Sequence, residues 1–120
     1  MILLTVDEDP KVIQHTLGIL KRVGGSHEVH TASNLAVATH SASELESLDV
    51  LIIPANASSG ESFFGLRDSL RERFADLHVL FLNDYEIREY AEQIGKDRVL
   101  PRFPDEAALT NWANSIGFGT

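Results

Sequence analysis

Asp49–Gly60 reads DVLIIPANASSG. Val50, Leu51, Ile52 and Ile53 form a short apolar run rich in branched side chains, the pattern of a strand buried on both faces at the centre of a parallel sheet. Pro54 follows at once and has no backbone N–H, so the ladder ends there or lies open on that side. A small polar loop, Ala55 to Gly60, leads into a helical pattern. In an open parallel sheet, ligands and chemistry gather where strands end and loops begin. The residue at position 54 therefore decides much of what this chain can do.

Working outward, the same alternation continues in both directions. Ile2 to Val6 is an apolar strand that ends on Asp7-Glu8-Asp9-Pro10. Asp9 before Pro10 is a helix start, because Asp caps open N–H groups and Pro suits the first turn. Val12, Ile13, Leu17, Leu20 and Val23 recur at helical spacing, and Gly24-Gly25 supplies the stop. His27 to Thr31 is a polar, alternating strand, as expected at a sheet edge. Ser33 or Asn34 caps a second helix carrying Leu35, Val37, Ala38, Ala42 and Leu45. Beyond the loop, Phe63, Leu66, Leu70 and Phe74 stripe a third helix, whose other face carries Arg67, Asp68, Arg71, Glu72 and Arg73. Leu77 to Leu82 is a fourth strand, broken by Asn83-Asp84. Ile87, Tyr90, Ala91 and Ile94 mark a fourth helix ending at Gly95. Arg98 to Pro101 is a short fifth strand. Pro104-Asp105-Glu106 opens a last helix, with acids where the helix dipole prefers them and Leu109, Trp112, Ala113 and Ile116 as its buried stripe.

Strands alternating with helices over short connections imply right-handed crossovers and a parallel sheet covered on both faces. A polar second strand beside strongly apolar first, third and fourth strands fits the flavodoxin-like order 2-1-3-4-5, a three-layer α/β/α sandwich. The loops after strands one, three, four and five then converge on one end. That end collects Asp7, Glu8, Asp9, Pro54, Asn56, Ser58, Ser59, Asn83, Asp84 and Arg102.

Bulk properties agree with one ordinary domain spanning residues 1–120, with 116–120 as a frayed tail or the start of a linker. The 120 residues are 43% hydrophobic and 23% charged, as in soluble globular proteins. The net charge of −8 repels nucleic acid and anionic membranes. There is no cysteine, which excludes disulfides and thiolate metal sites. No apolar run is long enough for a bilayer. No secretory signal is visible, so the expected location is the cytoplasm.

Several phrases resemble the receiver domain of bacterial two-component response regulators: LLTVDEDP at 3–10, TASN at 31–34, DVLII at 49–53 and RERFADLHVLFL at 71–82. The resemblance runs from Ile2 to about Ile116. It implies a domain in which an Asp ending the third strand accepts a phosphoryl group from a histidine kinase. Two acids after the first strand would hold magnesium. A Ser or Thr after the fourth strand, an aromatic in the fifth and a Lys after it would complete the switch. In this chain Asp7 and Glu8 stand at the metal-binding pair, but Pro54 stands at the phosphoacceptor position. Asn83 replaces the Ser or Thr, Val99 the aromatic and Arg102 the Lys. The proline that usually follows the Lys comes one place late, at Pro104, which leaves open whether Phe103-Pro104 is cis.

Phosphoryl transfer needs an oxygen nucleophile in line and charge stabilisation around it. Proline supplies no oxygen, and Asp49 lies about 16 Å down its own strand at ~3.3 Å per residue. The expectation is a degenerate receiver that is not an enzyme. It would have no cofactor beyond a weak, vestigial magnesium site at Asp7 and Glu8. It would signal by protein contact through the fourth helix, fifth strand and fifth helix, at Arg88, Glu89, Glu92, Gln93, Lys96 and Arg98. A homodimer and an attached output domain are both compatible with that role. Asp9 is equally read as a plain helix cap, with Asp7 and Glu8 contacting Arg102 or solvent. The Arg102 pair is either a permanent mimic of the switched-on state or a surface contact of small weight. Asp7-Glu8-Asp9 also matches the Asp-x-Asp of haloacid-dehalogenase-type phosphatases, with Asp7 as nucleophile and Asp9 as acid–base. A flavin or nucleotide binder would need a first loop that welcomes phosphate, and three acids do not.

Overall fold

The computed structural model describes residues 1–55, 62–84 and 90–119. The elements run β1 (Ile2–Val6), α1 (Pro10–Val23), β2 (Glu28–Ala32), α2 (Leu35–Ser43), β3 (Val50–Ile53), α3 (Phe64–Arg73), β4 (His78–Leu82), α4 (Ala91–Ile94), β5 (Arg98–Leu100) and α5 (Glu106–Ser115). All strand pairs are parallel, in the order β2-β1-β3-β4-β5. This is the flavodoxin-like sheet expected from the alternation.

Alternate residues of each central strand feed opposite faces, because side chains of a strand point up and down in turn. Leu4, Val6, Leu51, Ile53, Val79 and Phe81 pack under α2, α3 and α4. Leu3, Val50, Ile52, Leu80 and Leu82 pack under α1 and α5. The continuous apolar runs are thus the direct consequence of burial on two sides. Local signals set the helix ends. Asp9 accepts from the Lys11 N–H, Asn34 from Val37 and Asp105 from Ala108. Gly24 and Gly25 both adopt positive φ, at 101° and 87°, and end α1.

The structure corrects several expectations. β2 begins at Glu28, not His27, because the His27 ring turns aside to stack on Phe118 and bond the Gly24 carbonyl. Leu77 precedes β4, and Pro101, lacking an N–H, falls outside β5. Residues 116–119 are not frayed: Phe118 is 1% exposed and belongs to the α1–α5 core. Val37 and Ala91 are exposed rather than core. Ile87, within the expected fourth helix, lies outside the described residues.

The largest correction concerns α3, whose charged face is not simply solvated. Arg67 is 7% exposed, its guanidinium against the Phe64 and Phe81 rings. It donates to Asp97 (3.1 Å), which also receives two bonds from Arg71. Arg73 donates to the Ala42 and Leu45 carbonyls at 3.0 and 2.8 Å, closing the end of α2.

Thr16 of α1 is fully buried, and its hydroxyl has no hydrogen-bond partner among the described residues. An unsatisfied buried hydroxyl costs stability that a methyl of the same shape would not. Thr16→Val is therefore expected to stabilise the fold by about 1 kcal/mol. The readout is a higher urea midpoint at unchanged slope; a lower midpoint would show that the hydroxyl is satisfied after all.

Candidate functional site

The site lies at the carboxyl ends of the strands and is organised by Asp7. This residue leaves β1 with its N–H donating to the Ala32 carbonyl (3.2 Å), and it is 3% exposed. Its Oδ1 accepts the Asp9 N–H at 2.9 Å. Asp9 turns the other way and caps α1, so the first loop divides its acids between a buried carboxylate and a helix cap. Glu8 is exposed beside them.

Arg102 reaches Asp7 from the loop after β5. Its Nη2 donates to Oδ1 at 2.5 Å and its Nε to Oδ2 at 3.3 Å. This two-pronged contact fits the planar guanidinium to the carboxylate. The backbone of Arg102 is anchored separately, its N–H donating to Asp84 Oδ1 at 2.9 Å. Asn83 in turn donates its N–H to the Leu100 carbonyl at 2.9 Å, tying the exits of β4 and β5 together. The hydrogen bond to Asp7 raises the Arg102 pKa above its ordinary value. Burial opposes that shift, and the charges of Asp7, Asp84 and Glu8 add to it. Arg102 is thus a permanent cation.

Pro54 is buried directly after β3, at the centre of this end of the sheet. Val99 is half-buried and packs with the α2–α4 side of the core. The Phe103-Pro104 bond is trans, as is every described peptide bond. Phe103 is half exposed, and its ring meets His15 edge-on at 5.5 Å. His15 Nε2 donates to the Pro104 carbonyl at 2.7 Å, an engagement that its place on a helix surface did not signal. Asn56, Ser58 and Ser59 lie outside the described residues, as do Arg88 and Glu89.

Among the described residues, the donors do not fit a divalent ion. Oδ1 and Oδ2 of Asp7 are both occupied by Arg102, and Pro54 contributes no side-chain oxygen. No cluster of three potential metal ligands occurs among the described residues. The same geometry gives the phosphatase-type alternative no support, since Asp7 faces a guanidinium and Asp9 serves the helix.

The sequence matches no protein-family model and no curated protein. Solved structures do match. The signal receiver domain of a DNA-binding response regulator (merR) from Colwellia psychrerythraea 34H superposes with a TM-score of 0.81 at 12% identity, over 98% of each chain. The chemotaxis protein CheY4 of Vibrio cholerae gives 0.78 at 20% identity, over 96% of this chain and 97% of that one. A response regulator from Burkholderia pseudomallei, with a phosphorylated aspartic acid and a calcium ion, gives 0.73 at 18% identity, over 95% of this chain and 71% of that one. The fold is the receiver fold.

Within the receiver fold, the strand order and the meeting of Asp7, from the loop after β1, with Arg102, from the loop after β5, agree with the sequence reading. Sequence reasoning missed the role of Asp84, read there only as part of the break after the fourth strand. An acid one residue past a strand end was the available signal, but it does not say which N–H the carboxylate will meet. No described helix is long and apolar enough to cross a membrane.

Proposed function

We propose that this chain is a signalling module on the receiver fold that works by protein contact and is not phosphorylated at the end of its third strand. It is a non-enzymatic, degenerate receiver acting in the cytoplasm. The observation that carries the reading is the Arg102 fork on buried Asp7 beside Pro54. The position that would take up a phosphoryl group, Pro54, has no side-chain oxygen. The carboxylate that would hold the accompanying metal is already neutralised from within. A guanidinium attached to the chain competes with any ion at the effective concentration of an intramolecular partner.

A module so arranged keeps one charge state at this end of the sheet, and information passes through contacts instead. The exposed residues Glu92, Gln93, Lys96 and Arg98 on and beside α4 and β5 form the described part of the proposed partner face. The partner is a separate protein, a second copy or an attached output domain.

Exposure to acetyl phosphate with magnesium, followed by intact-mass measurement, tests the reading. The expected result is an unchanged mass. A stoichiometric, acid-stable but hydroxylamine-labile phosphoryl adduct would overturn it.

A further inference from the structure

At the opposite end of the sheet, the amino ends of β4 and β5 border a groove of about 330 Å³, lined among others by Arg71, Leu77, Lys96, Arg98, Trp112 and Ile116. We infer that this groove binds an acidic peptide segment of a partner protein, with carboxylates at Lys96 and Arg98 and an apolar side chain against Trp112. This rests on the protein-contact reading above and names the chemistry of the partner.

The charge pattern carries the inference. The chain is strongly acidic, at −8, yet Arg71, Lys96 and Arg98 meet at one groove. Asp97, the carboxylate between Lys96 and Arg98 in sequence, turns away from its neighbours. It is 11% exposed in its side chain and receives Arg67 and Arg71 together. One acid shared by two arginines leaves the floor without surplus negative charge. Lys96 and Arg98, both exposed, have no ion-pair or hydrogen-bond partner among the described residues. Cations left unpaired beside the small apolar edge that Trp112 and Ile116 present are a recognition surface for an acid carried next to an apolar group, since each part of such a ligand finds its match.

The same features decide against other anions. A nucleic acid would have to run its phosphates past a surface of the same sign. A small inorganic anion would meet the cations but make no use of the exposed edges of Trp112 and Ile116. An extended peptide supplies both kinds of group.

Trp112 is the chain's one tryptophan, so its fluorescence reports on the groove directly. The probe is a short synthetic peptide alternating glutamate and leucine, with a lysine–leucine peptide as comparison. The expected result is a saturable change in Trp112 emission with the acidic peptide only. It should weaken by about tenfold or more in the double variant Lys96→Gln/Arg98→Gln. It should persist in Lys11→Gln/Lys21→Gln, which carries the same change in net charge. Absence of a saturable change, or equal affinity in the groove variant, would overturn the inference. An equal response to sodium phosphate alone would overturn the peptide class, and a stronger one to a short single-stranded DNA would replace it with a nucleic acid. None of these outcomes depends on whether the chain accepts a phosphoryl group, so the two readings fail separately.

Discussion

Arg102→Ala is expected to destabilise the protein by about 3 kcal/mol, the range for a buried pair stripped of one member. The two partners are not equally placed. The side chain of Asp7 is 3% exposed and that of Arg102 28%. Without Arg102, the Asp7 carboxylate keeps the Asp9 N–H among the described residues and sits at a position that is 3% exposed in the intact fold. Without Asp7, the Arg102 guanidinium can swing its head into solvent, as long cationic side chains do. Asp7→Asn should therefore cost clearly less than Arg102→Ala, and Arg102→Lys, which keeps the charge but loses the fork, should fall between wild type and Arg102→Ala. Urea unfolding of the three variants gives the order directly. The raised Arg102 pKa fixes the sign of the pH effect. A cation whose folded pKa lies above its unfolded one contributes fully below the unfolded value and loses that contribution only as pH climbs through the folded value. The Arg102→Ala deficit should thus stay constant from about pH 6 to about pH 9. A deficit under about 1 kcal/mol would place this pair with ordinary surface contacts and remove the argument that the site is internally neutralised.

How much of this was legible before the structure depends on how local each signal is. Val50 to Ile53 declares a central strand because burial on two faces leaves no room for a polar residue. Asp9-Pro10 and Asp105 declare helix starts because a cap acts within a few residues of itself. Asp7 and Arg102 are drawn to one end by topology alone, since both follow strands of a parallel sheet. Their depth is another matter. Whether Arg102 grips a buried acid or brushes an exposed one depends on Ala32 and Asp84, which pin the two loops from elsewhere in the chain. Arg67 shows the same limit in the opposite direction. Helical periodicity puts it on the charged face of α3, and only Phe81 and Asp97, brought beside it by β4 and the approach to β5, turn it inward.

That inward turn gives the second large effect. Asp97→Ala is expected to cost about 3 kcal/mol, because it strips the buried Arg67 of its buried counter-ion. Among the described residues, what remains to Arg67 is the Ile94 carbonyl at 3.4 Å and Asp68 at 2.9 Å, whose side chain is 64% exposed and well screened. Arg67→Met should cost less, about 1 kcal/mol. Methionine fills the space between Phe64 and Phe81, and Asp97 still holds Arg71 at 2.7 Å. The bond to Asp97 raises the Arg71 pKa, so Arg71 remains available as that second cation at every working pH. Position in the fold adds a consequence beyond global stability. Asp97 lies between α4 and β5, and its arginines sit on α3, so the pair fastens the edge of the sheet to the helix layer behind it. In Asp97→Ala, amide exchange at Arg98–Leu100 should accelerate more than at the central strands β1 and β3. In Arg67→Met it should stay close to wild type. Uniform acceleration across the sheet would mean that the triad contributes only to global stability, and the edge strand that carries the proposed partner face would then owe its order to something other than Asp97.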